Sequence, residues 1–311
     1  MRSTIATYLS LRGRLLAVLL VCLAPWPGVA GHGLIYSLSL DGRPDSYLVG
    51  TMHSEDPRVT ALLEQFSPMI EQVDVVAVEM VPDAVTLLAV GAATLLPADQ
   101  RLRGLMADDQ YAALTSAALH LGLSVEVLDR LKPWAAAVTL GMPVSRNGRF
   151  LDMEIYLRAL ALQRRVVGLE TAAEQLAVFD GLTLDVQLSL LEEMVKNVHQ
   201  VPKQLEELTS VYLGGDLVQI DRVARTQYEN MPASIAQWFD EQLLDQRNAR
   251  MLTRLAGLLD SSSVLVAVGA MHLAGDTGLV AGLRRLGYRV EPLYTNGQKP
   301  GQDPPGLSRY E

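Results

Sequence analysis

The sequence predicts an α/β fold with its chemistry gathered at one sheet edge, and three observations carry that reading. Strand-length apolar runs alternate with helical patterns at both ends of the chain. Two of those runs end in one frame, Gly-x-Met-His, as Tyr47-Leu-Val-Gly-Thr-Met-His53 and Val264-Leu-Val-Ala-Val-Gly-Ala-Met-His272. A third run, Val73-Asp-Val-Val-Ala-Val-Glu79, ends on a carboxylate. Each motif histidine therefore falls at the carboxyl end of a strand, where open α/β sheets place their ligand chemistry.

Residues 1–30 stand outside this pattern. Arg2, Arg12 and Arg14 precede an apolar stretch from Leu15 to Ala24, and Gly28-Val29-Ala30 supplies the small residues of a cleavage site. The stretch is about half of the roughly 20 residues that a spanning helix needs. The segment reads as a secretory signal cleaved after Ala30, with a retained N-terminal anchor as the alternative; Val21 before Cys22 argues against a lipoprotein. Cleavage implies a periplasmic or secreted protein with no stable membrane span. It also removes the single cysteine, and with it any cysteine nucleophile, thiolate zinc site or iron–sulfur cluster. Three positive charges leave with the signal, so the net charge moves from −9 to −12. So acidic a chain is a poor partner for nucleic acid.

The remainder reads as one domain over residues 31–297, followed by a Pro- and Gly-rich tail at 298–311 that is too polar to fold. Leu34 to Leu40 and Ser46 to Val49, joined by Asp41-Gly-Arg-Pro-Asp45, form a hairpin that leads into the first motif. Ala61 to Gln72 repeats apolar residues at helical spacing, and the strand ending in Glu79 follows. This is a βαβ unit whose two strands are parallel, with the Glu79 strand beside the His53 strand. The middle of the chain, about Pro82 to Trp238, is mostly helical. A helix starts at Lys132-Pro-Trp134, Gly141-Met-Pro143 breaks it, Gly148 to Gln163 is amphipathic, and Arg165 to Glu170 is a short strand. Glu241 to Leu259 reads as one long helix bearing Arg247 and Asn248. The second motif strand, a helix at Leu279 to Leu286 and a strand at Tyr288 to Tyr294 close the pattern. With aromatic residues at 5% of the chain, the core is built mainly from Leu, Val and Ala.

His53 and His272 are two of five histidines, 219 residues apart in sequence yet in matching positions. The glycine three residues before each is expected to let the backbone turn so that the imidazole projects into a crevice. With Glu79 they make a His–His–Glu set that leaves coordination positions open, as a catalytic divalent metal requires. Whether Glu79 binds such a metal or takes a proton from water stays open at this point. Arg247 and Asn248 are candidates to orient substrate or stabilise an oxyanion, and Asp152 and Glu170 to support an imidazole from behind. His120 and His199 read as structural, and His32 falls at the new N-terminus. His-Glu-x-x-His, Gly-x-Ser-x-Gly, P-loop and Gly-x-Gly-x-x-Gly signatures are absent from the sequence.

With these pieces in place the chain resembles the TraB/GumN family, which includes the Tiki metalloproteases. The resemblance runs through Leu48-Val-Gly-Thr-Met-His53, Val76-Ala-Val-Glu79, Gly168-Leu-Glu-Thr171 with Glu174-Gln-Leu176, Arg247-Asn248, and Val266-Ala-Val-Gly-Ala-Met-His-Leu-Ala-Gly275. It implies a split, mixed β-sheet core wrapped by helices, shared with erythromycin esterases and haem-binding ChaN proteins. It also implies that His53, His272 and Glu79 form the active centre, served by manganese, cobalt or zinc. The expected activity is then an extracytoplasmic, metal-dependent hydrolase, a peptidase acting on a peptide or small-molecule substrate. The alternatives are a non-enzymatic binding protein for haem or a small ligand, and a metal-independent esterase with His53 as general base.

Overall fold

A computed structural model describes residues 33–142, 147–226 and 233–293. The proposed signal and the C-terminal tail lie outside the described residues. Six strands form one mixed sheet: β1 (Ile35–Ser39), β2 (Ser46–Thr51), β3 (Val75–Val78), β4 (Arg165–Gly168), β5 (Val264–Gly269) and β6 (Arg289–Pro292). Their spatial order is β4-β3-β5-β2-β1-β6. Pairings among β4, β3, β5 and β2 are parallel, whereas β1 runs antiparallel to both β2 and β6. The four parallel strands therefore deliver their carboxyl ends to one edge. β3 and β5 read as unbroken apolar runs because they are covered on both faces: Val75 to Val78 and Val264 to Val268 are all buried.

The expected βαβ unit is present, with one difference of order. β5 lies between β2 and β3, pairing Thr51 with Gly269 on one side and Val78 with Ala267 on the other. The Glu79 strand is thus next to the His272 strand and one strand removed from that of His53. Sequential strands pair often but not always, and here the last parallel strand of the chain takes the central place.

The Leu63–Gln72 helix buries Phe66, Met69 and Ile70 against the sheet and packs on the Leu151–Ala161 helix. The Val201–Gly214 helix is fixed to β2 by the buried Tyr212, whose hydroxyl donates to the Gly50 carbonyl at 2.9 Å. A second, smaller core forms in the helical middle, where Leu114, Trp134, Leu140 and Leu191 pack together. The Pro133–Gly141 helix starts with proline in its first turn and ends at Gly141, as its sequence indicates. The stretch read as one helix from Glu241 is divided: Phe239–Asp245 is a π-helical segment and Gln246–Leu259 is α-helical. Such wide turns often sit next to functional positions, and this one directly precedes Arg247 and Asn248. Among the described residues no helix is long and apolar enough to cross a membrane.

Candidate active site at the sheet edge

Glu79 follows β3, and its carboxylate is gripped from three directions. Oε1 accepts a hydrogen bond from the Gly269 backbone N–H at 2.7 Å. Oε2 accepts from Arg247 Nη2 at 2.7 Å and from Gln175 Nε2 at 3.3 Å. Burial alone would push its pKa up, but the charges of His272 and Arg247 and the bonds from Gly269 and Arg247 outweigh it and hold the group at about 2. Glu79 is a carboxylate throughout the physiological range.

His272 sits in the short turn Ala270–His272 at the end of β5 and is buried. Its Nδ1 is 2.7 Å from Asn248 Oδ1. With an amide oxygen facing it, Nδ1 is the protonated nitrogen and Nε2 carries the lone pair. Burial lowers the His272 pKa, against the opposing pull of Glu79, so the ring is neutral near pH 7. Nε2 faces Glu79 Oε1 across 3.8 Å. That is too far for a direct hydrogen bond, and both facing atoms offer electron pairs.

The glycines of the two motifs work differently from the expectation. Gly269 has φ −52°, a conformation open to any residue. A Cβ there would come within 3.1 Å of Glu79 Oε1, and a Cβ at Gly50 within 3.2 Å of the Ala270 backbone. Both positions need glycine for close approach, not for a sharp turn.

His53 ends the neighbouring strand and is half exposed, with 54% of its side chain accessible. Its ring stacks on Phe150 at 3.8 Å between centroids, and Nδ1 lies 3.5 Å from Asp152 Oδ2. Thr51 donates to the other oxygen of Asp152 at 2.5 Å. Asp152 thus stands behind His53 in the supporting place expected for it. Glu170 does not reach an imidazole. Fully buried, it accepts from Arg247 Nε at 2.8 Å and from Arg250 Nη2 at 2.9 Å, and so anchors the arginine that grips Glu79.

Arg247 and Asn248 therefore both belong to the site, but each faces its own side chains: Arg247 spans Glu79 and Glu170, and Asn248 orients His272. Asn248 also lines a cavity with Asp240, Met271 and Asp276. Gln175, Phe150, Thr51 and Arg250 were not marked as site residues by the sequence. Thr51 and Gln175 carried the usable signal, because both stand inside motif stretches that carry the family resemblance. His120 ends one helix and His199 lies in a short turn, both exposed; His32 lies outside the described residues.

Among the described residues no group of three or more His, Cys, Asp and Glu side chains is drawn together as a metal cluster. Of the expected set, His272 and Glu79 stand 3.8 Å apart, and His53 follows β2, the strand that pairs with the one leading to His272. The donor chemistry does fit a divalent cation. A neutral imidazole nitrogen and a permanent carboxylate oxygen face each other across a span that two bonds of about 2.0–2.2 Å can close.

The chain is 26% identical over 306 residues to "Metalloprotease TIKI1" of Danio rerio, covering 80% of this chain and 61% of that protein. It is 25% identical to "Metalloprotease TIKI1" of Xenopus tropicalis, over 79% of this chain and 59% of that protein. "Metalloprotease TIKI2" of Xenopus tropicalis is 24% identical over 80% of this chain and 58% of that protein. The chain thus spans about three-fifths of the length of these relatives. No solved structure matches it. The model of the TraB/PrgY/gumN family matches residues 34–292, from the start of β1 to the end of β6, and the chain belongs to that family.

Proposed function

We propose that this chain is an extracytoplasmic metal-dependent hydrolase, a peptidase whose centre lies at the carboxyl edge of β2, β3 and β5. His272 and Glu79 would hold the metal, with His53 as the third ligand from the adjacent strand. The observation that carries this reading is the gap of 3.8 Å between His272 Nε2 and Glu79 Oε1. Two electron-pair donors facing each other, each fixed from behind by other residues, form a place that a cation stabilises. The similarity to proteins named metalloproteases supports the same class.

A divalent cation held at this place would supply Lewis acidity towards a carbonyl oxygen at neutral pH. The chain's own residues set the rest. With a pKa of about 2, Glu79 is a weak proton acceptor near neutrality and suits a ligand better than a general base. Arg247 offsets part of its charge, Asn248 keeps His272 in the tautomer that presents Nε2, and two imidazoles with one carboxylate leave positions open for substrate. Manganese, cobalt and zinc are the candidate ions for such nitrogen and oxygen donors.

The test is hydrolysis of a mixed peptide substrate by the purified chain with added manganese, cobalt or zinc, beside His272→Ala and His53→Ala. Activity that both variants retain in full places the chemistry elsewhere. Metal-independent esterase chemistry is the second reading, favoured by Asp152 behind Nδ1 of His53, as a general base requires. Hydrolysis that survives exhaustive chelation selects it.

A further inference from the structure

The geometry points to Asp152 as the positioning residue that fixes the tautomer of His53, so that both motif histidines present Nε2 to the site. We infer this from a correspondence between the two halves of the centre. His272 has a side-chain oxygen, Asn248 Oδ1, at its Nδ1. At its own Nδ1, His53 has Asp152 Oδ2, 3.5 Å away. The two oxygens come from different helices, Gln246–Leu259 and Leu151–Ala161, so no sequence repeat produces the match.

Three contacts aim Asp152 at His53. Thr51, the last residue of β2 and two before His53, donates to Oδ1 and leaves Oδ2 turned to the imidazole. Among the described residues Oδ2 is buried with no hydrogen-bond partner, and the nearest ring nitrogen to it is His53 Nδ1 at 3.5 Å. Phe150, two residues before Asp152, stacks on the ring at an interplanar angle of 21° and limits its rotation. The Leu151 N–H also donates to the Ser54 carbonyl at 3.3 Å, which ties the loop after His53 to the start of the helix carrying Asp152.

The functional consequence rests on the proposed metal centre, but the tautomer does not. Its test is the two-bond ¹H–¹⁵N correlation spectrum of the imidazoles at a pH where they are neutral, for wild type, Asp152→Ala and Asp152→Asn. In wild type, His53 is expected as the Nδ1–H form. Asp152→Ala should move it to the Nε2–H form that free imidazole favours. Asp152→Asn, whose amide oxygen can accept as Asn248 does for His272, should restore Nδ1–H. The His272 signals should be unchanged in both variants and report that the fold is intact. A His53 tautomer that is the same in wild type and Asp152→Ala overturns the inference.

Titration with manganese alone separates this result from the proposed function. Loss of an oriented ligand should weaken binding about 10–100-fold in Asp152→Ala. A changed tautomer with unchanged metal affinity leaves Asp152 as the positioning residue of His53 and removes His53 from the metal set.

Discussion

The carboxylate of Glu79 packs so closely on Gly269 that a Cβ there would press on it. Oε1 accepts from the Gly269 N–H at 2.7 Å, and a Cβ built at Gly269 would approach it to 3.1 Å. The strand end that carries the carboxylate and the strand end that leads to His272 are thereby locked together. Gly269→Ala is expected to displace Glu79 and cost about 1–3 kcal/mol of stability. Urea denaturation would show this as a lower midpoint at constant slope; an unchanged midpoint would mean that the carboxylate can move without loss.

Arg247 bridges two carboxylates, and one of them, on Glu170, has no exposure at all. Arg247→Met leaves Glu79 without its main cation and Glu170 with Arg250 and a long bond from Gln175. The expected loss is on the order of 3 kcal/mol, as for removal of one partner from a buried ion pair. Arg247→Lys should recover only part of it, because an ammonium cannot reproduce the planar fork. Equal stability of the lysine variant and wild type would contradict the bridging role.

Stability should depend on pH through Glu79 and His272 with the same sign. The Glu79 pKa is depressed from an ordinary 4.5 to about 2, so its contribution is complete above about pH 4.5 and is lost as pH falls towards 2. A shift of that size corresponds to roughly 3 kcal/mol. The His272 pKa also lies below its ordinary 6.5, so its share is complete above that pH and is lost on further acidification. Denaturation midpoints measured from pH 7 to 3 should therefore fall as acid is added, and Glu79→Gln should flatten the lower part of the curve. A Glu79→Gln profile parallel to wild type would remove Glu79 as the source.

Much of this was legible in the sequence, and the limits follow a physical division. The ends of β2, β3 and β5 could be read because an apolar run that stops at His53, Glu79 or His272 is a local signal. The helix start at Pro133 was local for the same reason. The order of the strands was not legible, since β5 inserts between β2 and β3 through pairings across nearly the whole chain. The purpose of Gly50 and Gly269 was hidden too, because the atoms they make room for belong to Ala270 and Glu79 and only the folded sheet brings them near. Arg247 and Asn248 were found by adjacency, yet their partners Glu170 and His272 decide that they hold the site in place. The π-helical segment before them leaves no mark in the apolar periodicity.

Asn248→Ala should release His272 while leaving the sheet intact. With no oxygen at Nδ1 the ring loses its fixed tautomer, and metal affinity is expected to fall about 10–100-fold. Asn248→Asp, which keeps an oxygen there, should be affected less. Identical affinities in wild type and Asn248→Ala would show that Nε2 of His272 is not a ligand.

The central claim is that His272 and Glu79 face each other across a cation site. Isothermal titration of the metal-stripped chain with manganese, cobalt or zinc tests it most directly, with His272→Ala and Glu79→Gln titrated alongside. The account predicts one tight site per chain in wild type and its loss in both variants. Absence of binding by wild type, or binding that neither substitution weakens, would contradict it.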